Sequence, residues 1–376
     1  MSGIYIHIPF CKQACSYCDF YFVTRTNQRD AFVERLIDEI ESYHNSKFSK
    51  EVVETIYFGG GTPSLLEPRQ IEQILKALND VFRLKTREIT FEMNPDDVTA
   101  EFLSDLKKAG ITRASMGIQS FQPDLLKFMN RAHSHEEALN CLELLSQSGF
   151  NSFTVDLIYG NPGQTLEQLN EDLDILLEFS PPHISAYSLT IEPKTRLGKQ
   201  VELRRITPSE DDKVADHFDL INERLRARCI ERYEVSNYSK PGQEAIHNSH
   251  YWEHENYLGL GPGAHSFWWN EQAAIRRENK RDLRNYLEGK NISGEAEELT
   301  LEQLAEERLM MGLRTRKGVS IEELADRYGY RLNARQQKYL RERQKEGKTR
   351  AGSAISLTDK GIKIADAIIL DLITLH

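Results

Sequence analysis

The sequence predicts an α/β fold: a partial (β/α)6 barrel followed by a smaller helical, winged-helix-like C-terminal domain. From Ile4 to about Leu189, short apolar runs alternate with longer segments of helical period, the pattern of repeated βα units and a parallel sheet. From about Leu299 the chain reads as helices followed by a small β-ribbon. Size agrees, because 376 residues exceed the roughly 100–200 of a typical domain, and parallel-stranded barrels routinely pass that range.

The strand candidates are Ile4 to Ile8, Thr55 to Phe58, Ile89 to Met93, Arg113 to Ile118, Phe153 to Ile158 and Ile184 to Leu189. Helix candidates lie between them at Arg29–Tyr43, Pro68–Asp80, Thr99–Ala109, Ser134–Ser148 and Leu166–Phe179. Beyond Pro208 a charged helix runs to about Cys229, and a stretch rich in Gly, Pro, Asn and His follows from Asn237 to Trp269, where no regular period is visible. Helical period returns at Leu301–Arg314, Ile321–Tyr328 and Ala334–Glu346, with strand-like pieces near Thr349 and Ile355 and an amphipathic end over Ala365–Leu375. The expected division is a core over 1–235, an irregular connecting region over 236–298 and a helical domain over 299–376.

With 39% hydrophobic and 28% charged residues the chain has the make-up of a folded protein with a substantial core. A net charge of −10 counts against coating nucleic acid, which needs a basic face, and so against reading the winged-helix-like end as a regulator's DNA-binding module. No run approaches the roughly 18 apolar residues of a membrane span, and the N-terminus opens on a strand, so the chain reads as cytoplasmic.

Three of the five cysteines fall within eight residues, Cys11, Cys15 and Cys18, directly after the first strand. That is metal-ligand spacing rather than a disulfide framework. Cys141 and Cys229 read as ordinary thiols. Four thiolates would close a structural zinc or an electron-transfer cluster; three on a 4Fe-4S cube leave one iron open to an outside ligand. The alternative is a three-cysteine zinc completed by His7 or Asp19. In parallel α/β folds ligands gather at the carboxyl ends of the strands. At those positions stand Gly59-Gly60-Gly61-Thr62-Pro63, Glu92-Met93-Asn94-Pro95, Gly117-Ile118-Gln119-Ser120 and Asp156-Leu157-Ile158-Tyr159-Gly160.

The C-x3-C-x2-C loop after a strand resembles the signature of the radical S-adenosylmethionine (SAM) superfamily. Together with Tyr5-Ile6-His7-Ile8-Pro9-Phe10 and the strand-end motifs, it resembles the oxygen-independent coproporphyrinogen III oxidases and their relatives, the HemW-type heme chaperones, over almost the whole chain. The resemblance implies a radical SAM barrel with a 4Fe-4S cluster on Cys11, Cys15 and Cys18, whose open iron chelates S-adenosylmethionine. It implies contacts to that cofactor from Tyr5, Gly60, Gly61, Thr62, Glu92, Gln119, Arg131 and Asp156, and shielding of the cluster edge by Tyr17 and Phe20.

Two departures separate the relatives. The oxidases resemble C-x3-C-x2-C-x-C, but Phe20 stands at the additional cysteine position. His247-Asn248-Ser249-His250-Tyr251-Trp252 matches the H-N-x-x-Y-W motif of the HemW-type chaperones. This implies heme as ligand, with His247 as the motif histidine and His250 as an alternative axial ligand; His254 and His265, in the same stretch, are not ranked. The partners implied are acceptor hemoproteins, those of the respiratory membrane among them, which leaves room for peripheral contact at its inner face. The rival function is oxidase chemistry on coproporphyrinogen propionates. Arg276-Arg277 with Lys280-Arg281 could meet heme propionates or anionic lipid, though a solvated face is the ordinary reading.

Overall fold

The computed structural model describes residues 3–270, 273–290 and 292–375. Six strands, β1 (Gly3–Ile8), β2 (Val52–Gly60), β3 (Arg83–Met93), β4 (Arg113–Gln119), β5 (Ser152–Tyr159) and β6 (His183–Ser188), lie side by side in chain order. Each pairs in parallel with the next. Helices over Arg29–Glu41, Pro68–Val81, Ala100–Ala109, His135–Gln147 and Leu166–Glu178 carry the chain back between them. Their starts are chemically marked: the hydroxyls of Thr99, Ser134 and Thr165 accept from the backbone N–H three residues on, satisfying donors that have no helical partner. β3 begins six residues before the expected Ile89, because its first half, Arg83–Glu88, carries four charged side chains and shows no apolar run.

Alternation along the strands sorts the side chains. Ile4, Ile6 and Ile8, Ile56 and Phe58, Phe91, Ala114 and Met116, and Val155 are wholly buried under the helices. The intervening positions form the opposite, polar face: Tyr5 and His7, Thr55 and Tyr57, Glu88 and Glu92, Arg113 and Gln119, Thr154 and Asp156.

The stretch without visible period, Asn237 to Trp269, and the segments on either side of it extend this sheet at both edges. β7 (Glu231–Arg232) and β8 (Asn237–Ser239) add to β6 antiparallel. β9 (Tyr257–Leu260) pairs in parallel with the other edge of β1, and β10 (His265–Trp269), β11 (Ala274–Asn279) and β12 (Ser293–Leu299) continue antiparallel. Among the described residues the sheet has twelve strands, running from β12 through β1 to β7. β12, Ser-Gly-Glu-Ala-Glu-Glu-Leu, is charged and largely exposed, as suits an edge strand.

A buried carboxylate ties this extension to the barrel. Glu39, on the first helix, accepts from the Gly261 N–H (2.9 Å), the Asn279 amide (2.9 Å) and the Tyr286 hydroxyl (2.7 Å). Gly261 has φ +92°, and a Cβ there would lie 2.6 Å from the His7 carbonyl, so the loop after β9 closes on β1 only through glycine.

After β12, helices over Leu301–Gly312, Ile321–Tyr328 and Ala334–Lys345 are joined by a three-stranded antiparallel sheet of Val319–Ser320, Thr349–Ala351 and Ala354–Leu357 and followed by the terminal helix Ala365–Thr374, the expected winged-helix-like arrangement. The domain is fastened to the sheet extension by Arg308, which is paired with Glu323 through two contacts of 2.9 Å and donates to the Trp252 carbonyl, and by Glu307, which meets Arg276 at 2.6 Å. Among the described residues no helix is long and apolar enough to cross a membrane.

Glu39→Leu removes one acceptor from three buried donors and is expected to cost about 2–4 kcal/mol. Urea unfolding should show the midpoint fall; an unchanged midpoint would mean the three donors find other partners.

Candidate functional site

The cysteine loop is stitched at both ends. At its base, the Cys11 N–H donates to the Val23 carbonyl (3.0 Å) and the Val23 N–H to the Pro9 carbonyl (2.7 Å). At its tip, Ser16 donates through its N–H to Met129 (3.0 Å) and through its hydroxyl to Phe128 (3.1 Å), while the Asn130 amide reaches the Ala14 carbonyl (2.7 Å). Cys11, Cys15 and Cys18 are half-buried and free of disulfides.

A chain of hydrogen bonds joins two of these thiols across the strand ends. The Thr62 hydroxyl donates to Cys11 Sγ (3.6 Å), the Asn94 amide to Thr62 Oγ1 (3.1 Å), Arg131 Nη2 to Asn94 Oδ1 (2.7 Å), and Arg131 Nη1 to Cys15 Sγ (3.3 Å). Burial pushes the Cys11 thiol up to about 11, against the opposing pull of Thr62, and the Cys18 thiol up to about 12. Thiols this basic surrender their protons at neutral pH only to a bound cation. Among the described residues no group of three or more His, Cys, Asp or Glu is arranged to share a single metal ion; a 4Fe-4S cube needs no such group, since each cysteine binds its own iron. His7, one of the two suggested fourth zinc ligands beside Asp19, is committed elsewhere: Nε2–H donates to the Tyr21 carbonyl (2.8 Å), which leaves Nδ1 to accept from the Tyr5 hydroxyl (3.2 Å).

Around this loop the strand-end motifs converge. Gly60 has φ +107°, and a Cβ there would sit 2.5 Å from the His7 ring. Glu92 accepts from the Tyr57 hydroxyl (2.6 Å) and the Gly60 N–H (3.3 Å), and burial raises its pKa against both. Asp156 is pushed up to about 7, first by burial and then by the charge of Glu92. Gln119 is held at φ +71°, and its Oε1, like Arg131 Nε, is buried without a protein partner. Strained backbone and buried polar atoms without protein partners, gathered at the ends of strands, mark a place suited to a polar ligand. These residues fit a 4Fe-4S cluster and S-adenosylmethionine.

A cavity of about 610 Å³ runs from these residues towards the C-terminal domain. Its walls include Tyr5, Tyr57, Gly60 and Glu92 at one end, and His265, Phe267, Arg276, Arg281 and Met311 at the other. Phe20 lines it and is 70% exposed. Tyr17 packs inward beside Leu125, Leu126 and Met129.

The H-N-x-x-Y-W segment forms the helix Ile246–Trp252, seated on the polar face of the sheet. Glu88 of β3 caps it, accepting from the Ile246 and His247 N–H groups at 2.9 Å each. His247 is buried against Gly3, with Nδ1 bonded to Thr55 Oγ1 (2.8 Å) and Nε2 to the Tyr251 hydroxyl (2.8 Å). Burial lowers its pKa to about 3. Both ring nitrogens are therefore in use, and neither His247 nor His250 lines the cavity; Asn248 and Tyr251 do. Asn94, Tyr57 and Tyr251 complete the site without having been assigned a role from the sequence. Two of them had a signal there: Asn94 in the Glu92-Met93-Asn94-Pro95 motif and Tyr251 as the tyrosine of H-N-x-x-Y-W.

The parallel sheet with a three-cysteine loop after its first strand defines a radical SAM protein. The Radical SAM superfamily model matches residues 5–176, and the HemN C-terminal domain model residues 299–364. The heme chaperone HemW of Lactococcus lactis is 37% identical over 333 residues, covering 87% of this chain and 85% of the relative. HemW of Bacillus subtilis is 33% identical over 370 residues, 96% of each. The chain belongs to the HemW heme chaperone family. Among solved structures, coproporphyrinogen III oxidase (HemN) of Escherichia coli has the same fold, with a TM-score of 0.83 and 24% identity over 100% of this chain and 90% of that one.

Asn94→Ala breaks the chain between the two thiols. Iron and sulfide content after anaerobic reconstitution should fall several-fold while the far-ultraviolet spectrum is kept; wild-type content would sever Asn94 from the cluster loop. Asp156 supplies a pH test. Its folded pKa lies above the ordinary 3.8, so its contribution is fully present below about pH 4 and is lost as pH rises through about 7. In the protein without cofactors, stability should fall less between pH 5 and 8 in Asp156→Asn than in wild type; parallel curves would reject the assignment.

Proposed function

We propose that this chain binds heme and passes it to acceptor hemoproteins, with a 4Fe-4S cluster on Cys11, Cys15 and Cys18 and S-adenosylmethionine bound beside it. The observation that carries the reading is the 610 Å³ cavity, walled by aromatic side chains and flanked by Arg276 and Arg281. A planar, mostly apolar macrocycle with two carboxylates suits walls of this kind, and the volume is that of a cofactor site. HemW of L. lactis and B. subtilis, named heme chaperones, support the same reading.

Gly60, Gly61, Thr62, Glu92, Gln119, Arg131 and Asp156, with Tyr5 at the edge, are the residues we assign to S-adenosylmethionine. Glycines 60 and 61 would admit the ligand to the backbone, Glu92 and Asp156 would offset its cationic groups, and the unpartnered donor of Arg131 and acceptor of Gln119 would serve its polar ones. When bound, the cluster supplies one electron to the sulfonium. Arg131 and Thr62 aim donors at Cys15 and Cys11, which favours the reduced, more negative state.

Heme titration of the anaerobically reconstituted protein, followed by absorption and run beside a coproporphyrinogen decarboxylation assay, separates the two activities. Saturable, roughly stoichiometric heme binding without decarboxylation is expected. Turnover without saturable heme binding would make the chain an oxidase.

A further inference from the structure

Three histidines line the cavity, His7, His254 and His265, and they differ in what their rings already hold. His7 is bonded at both nitrogens, as above. His254 is buried, with Nδ1 beside the Tyr328 hydroxyl (3.2 Å) and Nε2 beside Glu307 (3.3 Å), so it serves the junction with the C-terminal domain. The His265 side chain is 45% exposed, and its nearest charged partner is Glu278 at 3.6 Å, beyond hydrogen-bond length. That carboxylate is itself held by Arg281 at 2.6 Å.

The sheet explains the placement. Residues i and i+2 of a strand share a face, so His265 and Phe267 of β10 point the same way. Their cross-strand partners are Glu278 and Arg276, and Tyr257 of β9 lies opposite Phe267. Phe267, Tyr257 and Arg276 all line the cavity. An imidazole with open nitrogens thus stands beside an aromatic wall and between two guanidinium groups. His247, the motif histidine, has no lone pair to offer while it holds Thr55 and Tyr251.

We infer that His265 is the side chain that ligates heme iron in this cavity, with Arg276 and Arg281 on either side to meet the propionates. The inference rests on the heme-binding reading above. The motif histidine then acts at one remove: His247 fixes the Tyr251 hydroxyl, and Tyr251 shapes the cavity wall.

The test uses the full-length, reconstituted protein, titrated with hemin and read by the Soret band and by electron paramagnetic resonance of the ferric heme. His265→Ala should weaken binding at least tenfold and abolish the imidazole signature, with cluster content and far-ultraviolet spectrum unchanged, and added imidazole should restore the signature. His265→Met keeps a ligating atom on a side chain of similar reach, and it should bind heme with a shifted ligand spectrum even if the alanine variant folds poorly. A wild-type spectrum and affinity in both variants, with the signature lost instead in His250→Ala, would overturn the assignment of His265 and leave heme binding standing. Failure of wild type itself to bind hemin saturably would reject the functional reading.

Discussion

A polar face inside a barrel must be satisfied residue by residue, and the rest of this molecule is arranged around that requirement. Strand alternation sends the apolar half of β1–β6 outward to the helices, which leaves Thr55, Glu88, Arg113 and Thr154 facing inward at the end of the sheet away from the cysteines. An unpaired buried group of this kind costs about 1–3 kcal/mol. The 246–252 helix meets the requirement: its first N–H groups fall on the Glu88 carboxylate and its histidine on Thr55, over the bare Gly3. Arg113 bonds the hydroxyls of Ser152 and Thr154 across β5. With that end closed, the opposite end is the open one, where the strand-end motifs and the cysteine loop lie.

At the open end the same accounting leaves a remainder. Thr62, Asn94 and Arg131 satisfy one another and two thiols, but Gln119 Oε1 and Arg131 Nε stay without protein partners. Buried polar atoms without protein partners also occur elsewhere, Thr90 Oγ1 on the same polar face and His250 Nδ1 in the motif helix among them; what sets the open end apart is that two of them, on Gln119 and Arg131, stand at strand ends beside the cysteine loop. Both acids at this end are raised by burial, Glu92 against the hydrogen bonds from Tyr57 and Gly60, and Asp156 to about 7, with the charge of Glu92 adding to burial and the Ser185 hydroxyl opposing it.

The sequence was legible wherever local pattern and function coincide. The cysteine loop after β1, the glycine run at the end of β2 and the helices that begin near Thr99, Ser134 and Leu166 each depend on neighbours within a few residues, and each is where it was expected. β9 to β12 were not legible, because they are held by register to β1 and to one another rather than by an apolar period; β12 carries three glutamates in seven residues. The direction of His247 was beyond reach for a related reason. A motif gives adjacency along the chain, but the fate of an imidazole depends on which strand residue it meets, and Thr55 lies 192 positions away. His265 could not be ranked against His254 until Glu307 and Tyr328, from the C-terminal domain, took up one ring and left the other.

That last pairing shows why the C-terminal domain belongs to the site and is not an appendage. Met311 lines the cavity, Glu307 from the same helix holds both Arg276 and His254, and Arg308 reaches back to the Trp252 carbonyl at the end of the motif helix. One helix, Leu301–Gly312, therefore bears on the cavity wall, on the basic side chain beside it and on the element that closes the other end of the barrel. A displacement of this helix would strip Glu307 from Arg276 and leave it only the longer contact with Glu297 at 3.6 Å, making the wall more positive while loosening the support of the motif helix. Cavity shape and cavity charge are set together by where this domain sits.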